Sequence, residues 1–398
     1  MAIQVSRLKR DILQLAKFSE GGDGITRRSS TKIYESGVNF VTGLMQDAGM
    51  TTSRDRIGNL IGHFPGEKPE QPSIIIGSHI DTVPHGGMFD GTVGVLGGIE
   101  IIRAMRETGY KNKHPMEIIS FFQEEGAPLP VLIGGTFGSR VMMGLVKADK
   151  LMKENLNKIN LSEKDILASR RNPAGIKCYL ELHIEQGRVL FDEKISVGIV
   201  TGIVGKKRYL AKIAGTQNHA GTTPMYARDD AVVNSLPFLN NFYKAVTKID
   251  KNMVGTIGRI DVLPGSQNII PGEVNITLEI RHIDFAKLDQ ASGKLEKVMA
   301  KIPRGQMVLV DSKSGSMMDP KIREVIASNC RRLGVSYKHM PSGAGHDAQW
   351  MAKKVPCGMI FIPSRDGISH SPKEFTDWRE IATGVRVLLE TVKELDHE

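Results

Sequence analysis

The sequence predicts an α/β protein whose main domain, with a central twisted sheet, is built from both ends of the chain, with a smaller α+β unit inserted between them. Three observations carry this expectation. Apolar runs that read as buried strands alternate with helical stretches over 1–205 and again over 316–398. Between 206 and 315 the order becomes strand, helix, strand, strand, helix, strand, which is a self-contained βαββαβ unit. At 398 residues the chain is also too long for one compact core, so two domains are expected.

Taken in order, residues 3–18 and 30–49 have amphipathic helical spacing, with Val38, Val41, Leu44 and Met45 forming a stripe in the second. Asn59–Gly62 and Ser73–Ile76 read as strands around the Pro-rich turn Pro65–Pro72. A Gly-rich loop ending in Asp90 follows, then a helix over Val93–Met105. Glu117–Phe122 is another buried strand; it runs into Gln123-Glu124-Glu125-Gly126 and a loop rich in Gly and Pro, Ala127–Gly138. Residues 145–170 are charged and helical, and Tyr179–Ile184 is a strand followed by Glu185-Gln186-Gly187.

In the inserted unit, strands are expected at 208–214, 252–263, 273–282 and 306–311, and helices at 229–247 and 284–302. The second helix carries Phe285, Leu288, Leu295, Val298, Met299 and Ile302 on a core-facing stripe, whereas Pro237 disfavours the first. After Gly315 come a helix at 319–333, an apolar strand Cys357–Ile362 leading to His370, and a last helix at 376–396.

Composition narrows the class. A hydrophobic content of 40% and a charged content of 24% describe an ordinary globular chain, and no apolar run approaches a membrane span. The N-terminal stretch Met1–Phe18 mixes charges with apolar residues and lacks the apolar centre of a signal peptide, so a cytoplasmic protein is expected. The three cysteines are far apart and form no CxxC pair, which argues against a disulfide framework or thiolate zinc site. The net charge is +9, but the basic pairs are interspersed with acidic residues, so a solvated surface is expected rather than a nucleic-acid face.

The chemistry concentrates at strand ends. His79 and Asp81 sit at the carboxyl end of one apolar strand, and alternation puts them on one face. Glu124 and Glu125 follow a second strand, His183 lies in a third, and His370 follows a fourth. A lone histidine is usually structural; the repeated strand-then-ligand pattern argues for one shared site, where open α/β sheets place their chemistry. Imidazoles and carboxylates together suit a divalent metal, zinc above all, with manganese or cobalt also fitting. The set is large enough for two metals sharing a carboxylate, which lowers the pKa of a held water. In extended backbone Glu124 and Glu125 point to opposite sides, so one is expected to bind metal while the other serves as general base.

These motifs resemble the hydantoinase/carbamoylase branch of the M20 metallo-amidohydrolases, which includes N-carbamoyl-L-amino acid hydrolases, β-ureidopropionases and allantoate amidohydrolases. The resemblance spans nearly the whole chain. It rests on Gly77-Ser78-His79-Ile80-Asp81-Thr82-Val83, Gly87-Met88-Phe89-Asp90-Gly91, Glu124-Glu125-Gly126, Glu181-Leu182-His183-Ile184-Glu185-Gln186-Gly187, Asn218-His219-Ala220-Gly221-Thr222-Thr223-Pro224-Met225, Ser342-Gly343-Ala344-Gly345-His346-Asp347 and Gly367-Ile368-Ser369-His370-Ser371. It implies that Asp90 bridges two divalent metals, with His79 and His183 completing one site and Glu125 and His370 the other. Glu124 would be the general base and Asp81 would orient His79. His219 would stabilise the oxyanion; Gln186, Asn268 and Arg281 would hold the substrate, and Gly345 would line the pocket. The inserted unit would be a lid and dimerisation domain, making a homodimer in which His219 acts on the partner's site. Where relatives follow the Glu-Glu-Gly with a small residue, Arg and Phe, this chain has Ala127-Pro128-Leu129-Pro130.

The implied activity is hydrolysis of the ureido or N-carbamoyl C–N bond of a small anionic substrate, allantoate or an N-carbamoyl-L-amino acid, with release of ammonia and carbon dioxide. Two other readings stand beside it. One is an M20-type peptidase or deacylase on a peptide or acyl amide. The other is a metal-stabilised dimeric binding protein without turnover, against which the intact Glu124 argues, since a binder needs no base.

Overall fold

The computed structural model describes residues 3–126, 133–147 and 149–398. The chain forms two compact units, Met1–Gly202 with Met317–Glu398, and Ile203–Ser316. These boundaries compare with the 205/206 and 315/316 expected from the sequence.

A nine-stranded sheet dominates the first unit. Its order is Thr51–Arg54, Leu60–Phe64, Met116–Phe121, Ser73–His79, Ile176–Ile184, Cys357–Ile362, Val197–Ile203 and Ser316–Met317, with Tyr337–Ser342 also paired to Val197–Ile203. The four middle strands, from Met116–Phe121 to Cys357–Ile362, run parallel. Strands covered on both faces need apolar side chains throughout, and Ser73–His79, Met116–Phe121 and Cys357–Ile362 are buried along their whole lengths. Because these strands are parallel, their carboxyl ends share one edge: His79 pairs with Phe121, and His183 with Phe361. The helix Thr92–Glu107 returns from that edge with most of its residues buried.

Several elements differ from expectation. The strand predicted to stop at Ile76 continues to His79, so this histidine is held in the ladder. The helical stretch 145–170 resolves into Lys150–Asn157 and Glu163–Ala168, each started by a side-chain cap, Asp149 and Ser162 respectively. The expected loop Ala127–Gly138 gives way to the helix Phe137–Met142; Ala127-Pro128-Leu129-Pro130 lies outside the described residues. Val197–Ile203 and Tyr337–Ser342 were not foreseen as strands. The first contains Gly198 and Gly202 and the second Pro341, residues that weaken a strand pattern.

The second unit has a four-stranded antiparallel sheet in the order Gly305–Lys313, Gly205–Ala214, Glu273–His282, Val254–Leu263. Val274, Ile276, Leu278 and Ile280 alternate into the core, which is closed by the helices Ala231–Thr247 and Phe285–Met299. The first of these runs through Pro237 without ending. Among the described residues, no helix is long and apolar enough to cross a membrane.

Candidate metal centre

Each of the four parallel strands delivers side chains to the shared edge. His79 ends its strand, and the loop beyond it carries Asp81 and Asp90. The chain after Met116–Phe121 turns at Gln123, whose φ is 58°, and presents Glu124 and Glu125. His183 projects from Ile176–Ile184, with Gln186 just beyond; His370 follows Cys357–Ile362.

Asp90 is the hub. Its Oδ1 lies 3.1 Å from His183 Nε2 and 3.8 Å from His79 Nε2, and its Oδ2 lies 3.1 Å from His370 Nε2. Glu125 Oε1 is 3.5 Å from His370 Nε2, and Glu124 Oε2 is 3.8 Å from His79 Nε2. Metal-type atoms of His79, Asp90 and His183 lie within 4.8 Å of one another, and so do those of Asp90, Glu125 and His370. Gly91 makes room for this: at φ 67° it passes so close that a Cβ there would sit 2.4 Å from His79 Nε2.

The expectation that Glu124 and Glu125 point apart is corrected. One oxygen from each lies within 4.8 Å of a His79 nitrogen, so both face the cluster. The alternation argument assumed extended backbone, but the strand has already ended at Phe121 and Gln123 has turned the chain. The Asp81 carboxylate fastens that turn, accepting the backbone N–H of Glu124 at 3.3 Å and of Glu125 at 3.1 Å.

The hydrogen bonds fix the tautomers. His79 Nδ1 lies 3.0 Å from the Asp81 carbonyl and His183 Nδ1 lies 2.8 Å from the Ile184 carbonyl. A carbonyl only accepts, so each Nδ1 carries a proton, and in its neutral form each ring turns the Nε2 lone pair into the cluster. The N–H of Gly91 donates to His183 Nε2 at 3.2 Å, consistent with that lone pair. Asp90 Oδ1 and Glu125 Oε1 are buried and accept no hydrogen bond among the described residues. Buried carboxylate oxygens and imidazole lone pairs aimed at one point are a donor set that a divalent cation satisfies.

The electrostatics agree. Burial, reinforced by Glu125, Asp347 and Asp81 and opposed by His79, pushes Glu124 well above the usual carboxylate range. Burial and the charge of Asp90 push Glu125 up to about 7. Burial works to lower His79, but Glu124, Asp81 and Asp90 outweigh it and hold the imidazole well above its ordinary value. Asp90 lies well below its usual value because His183 and His370 overcome the cost of burial. The hydrogen bond to Asp90 raises His370 to about 9. Protonated carboxylates and protonated imidazoles both relieve an excess of negative charge, which a bound cation also relieves.

Gln186 donates to Asp90 Oδ2 at 3.0 Å and lies beside His370, whose side chain is 48% exposed and marks the open side of the site. Gly345 is exposed and precedes His346, whose ring packs edge-on against His183 with centroids 4.5 Å apart. The sequence reading gave His346, Glu181 and Glu374 no role. Glu181 lies in the cluster's lining, where Ser78, Tyr179 and the N–H of Ala348 all donate to it. Its signal was present: Tyr179, Glu181 and His183 alternate on one face of a strand.

His219, Asn268 and Arg281 belong to the second unit. His219 is exposed, and its Nδ1 accepts the N–H of Gly221 at 3.0 Å and of Thr222 at 3.2 Å, which leaves the proton on Nε2. Asn268 adjoins it, its carbonyl accepting the Ala220 N–H at 2.9 Å. Arg281 ends the strand Glu273–His282 and pairs with Glu279 at 2.6 Å.

The sheet and the cluster at its edge define an α/β protein with a candidate metal centre. The model of peptidase family M20/M25/M40 matches residues 75–394. The chain is similar to an N-carbamoyl-L-amino-acid amidohydrolase of Paenarthrobacter aurescens, 35% identical over 99% of this chain and 98% of that protein. It is 33% identical to an allantoate amidohydrolase of Bacillus subtilis over 96% of this chain and 95% of the relative. Its fold matches an amidase of the hydantoinase/carbamoylase family from Burkholderia multivorans, with a TM-score of 0.89, 29% identity and coverage of 100% and 99%. The chain belongs to peptidase family M20/M25/M40 and, within it, to the hydantoinase/carbamoylase branch: it is a hydrolase acting on carbon–nitrogen bonds.

Proposed function

We propose that this enzyme holds two divalent metal ions and cleaves the ureido or N-carbamoyl C–N bond of a small carboxylate substrate, allantoate or an N-carbamoyl-L-amino acid, releasing ammonia and carbon dioxide. The observation that carries the reading is the pair of Nε2 lone pairs, on His79 and His183, aimed with the unbonded oxygens of Asp90 and Glu125 into one cluster. Asp90 would be shared between the two ions, with His79 and His183 holding one and Glu125 and His370 the other. Zinc suits this ligand mixture, and manganese or cobalt also fits. Bound divalent cations supply a Lewis acid for the carbonyl and acidify water.

The chain's own residues do the rest. Glu124, buried and raised in pKa, takes the proton of the attacking water and passes it to the leaving nitrogen. Asp81 holds Glu124 and Glu125 through their backbone amides. Gln186, Asn268, Arg281 and the backbone of Gly345 hold the substrate, with the planar guanidinium on its carboxylate. His219 donates from Nε2 to the developing oxyanion of a partner subunit's site in a homodimer. In support of a dimer, twelve of the seventeen exposed large apolar side chains among the described residues lie in the second unit, including Met225, Tyr226 and Val308.

The test is a substrate and metal panel. Protein stripped of metal and reloaded separately with Zn²⁺, Mn²⁺ or Co²⁺ is assayed for ammonia release from N-carbamoyl-L-amino acids and allantoate, and for cleavage of acyl amides. Turnover of acyl amides alone would overturn the ureido reading.

A further inference from the structure

Glu374 is a carboxylate outside the cluster that the chemistry above does not use. It is 4% exposed and lies four residues beyond His370 in sequence. Its Oε1 accepts two consecutive backbone N–H groups, Phe89 at 3.0 Å and Asp90 at 3.1 Å. Its Oε2 accepts the hydroxyl of Ser369, the neighbour of His370, at 2.8 Å. Both oxygens are therefore taken by N–H and O–H donors, and Glu374 is not itself arranged as a ligand. The chain that leads to Asp90 is pressed against it: a Cβ on Gly87 would fall 2.0 Å from Glu374 Oε1. Phe375 continues the contact, its ring meeting Phe89 edge-on at 5.8 Å.

We propose that Glu374 is a positioning residue that ties the Asp90 loop to the His370 loop and so sets the distance between these two side chains. This rests on the metal reading above. Asp90 and His370 come from loops after two different strands, Ser73–His79 and Cys357–Ile362, with Ile176–Ile184 between them in the sheet. Sheet register fixes the strands but not the loops, and Glu374 bonds the two loops together next to the side chains that share the ion. Groups that orient ligands in this way typically change metal affinity about 10–100-fold when removed.

The geometry distinguishes reach from charge. Glu374→Gln keeps an oxygen for both N–H groups and a second polar group for Ser369, whereas Glu374→Asp is one methylene too short for both sides at once. The experiment is equilibrium binding of Zn²⁺ and of Mn²⁺ to the metal-free protein, with hydrogen exchange of segments 87–91 and 367–371 followed in parallel. In Glu374→Asp and Glu374→Ala, the ion held by His370 should bind about tenfold or more weakly, the ion that shares only Asp90 should be weakened less, and both segments should exchange faster. Glu374→Gln should stay within a few-fold of wild type in both readouts. Wild-type affinity and protection in the Asp variant would overturn the proposal, as would a Gln variant as impaired as the Asp variant, since charge would then matter instead of reach. A failure of the Ala variant to fold leaves the Asp and Gln comparison to decide. Wild-type protein that binds no divalent ion would sink the metal reading together with this proposal, whereas unaltered binding in every variant would sink this proposal alone.

Discussion

The two units use their strands in opposite ways. In the first, Ser73–His79, Met116–Phe121 and Cys357–Ile362 are buried along their whole lengths, and the chain at and beyond their carboxyl ends carries His79, Asp81, Asp90, Glu124, Glu125 and His370. In the second, Glu273–His282 alternates one residue in and one out, and its candidate residues His219 and Asn268 stand exposed on loops. A buried edge can hold lone pairs and carboxylates in fixed geometry without water competing for them. An exposed loop cannot do that alone, but it can carry a donor to a site completed elsewhere. On the proposed reading, the first unit holds the ions and the second presents groups to a substrate.

This contrast can be tested by breaking each side. The largest effect belongs to the first unit. Glu124→Gln should lower kcat by about 10²–10⁴-fold while metal content and fold are kept, because an amide does not take the proton. Elemental analysis beside the rate checks both halves, and near-normal kcat with full metal would remove Glu124 from the base role.

His219→Ala should cost about 10²–10³-fold in kcat, the usual loss of one oxyanion donor, with metal content unchanged. If His219 serves the partner's site, dimers mixed from His219→Ala and Glu124→Gln chains contain one site with both parts intact. Partial recovery after unmixing and re-forming the two is expected. No recovery, with heterodimers demonstrated by mass spectrometry, would mean that His219 acts in its own chain or not at all.

Arg281→Lys should weaken carboxylate substrates and spare their amides, since lysine lacks the planar fork. Equal responses of free-acid and amidated substrates would take the carboxylate-clamp role from Arg281, whose guanidinium pairs with Glu279.

The smallest effect is on stability and lies in the second unit. Hydrogen bonds from Lys287 and from the N–H of Asn252 lower the Asp250 pKa to about 2. A depressed folded-state pKa stabilises above the unfolded value, about 3.9, and that contribution is lost as pH falls through about 2. The Tm difference between wild type and Lys287→Met should be small at neutral pH, as for any exposed pair, and should vanish toward pH 2. A difference that grows on acidification would contradict the assignment.

The sequence made some of this legible and not the rest, for physical reasons. The continuous apolar runs Ser73–Ile76 and Cys357–Ile362 are unmistakable, and a ligand-type residue after each is visible without a structure. The βαββαβ order of the second unit is legible because its two central strands, Gly205–Ala214 and Glu273–His282, alternate cleanly. Val197–Ile203 was hidden by its glycines, and Tyr337–Ser342 by Pro341. The relative aim of Glu124 and Glu125 was misjudged, because the left-handed turn at Gln123 has no glycine to announce it. Glu374 does not stand out in the sequence because it accepts backbone N–H groups 284 and 285 residues away, and such partners leave no mark in side-chain spacing. His219, Asn268 and Arg281 stood out only through resemblance, since an exposed polar loop carries no periodicity.

The proposed two-ion centre at the carboxyl edge of the first unit's sheet turns on Asp90. Equilibrium dialysis of metal-free protein against Zn²⁺ or Mn²⁺, read by elemental analysis, tests it most directly. Two ions per wild-type chain are expected. Asp90→Ala should impair the binding of both, while His79→Ala and His370→Ala should each impair one. A wild-type chain that takes up fewer than two ions, or an Asp90→Ala chain that keeps both at wild-type affinity, would contradict the account.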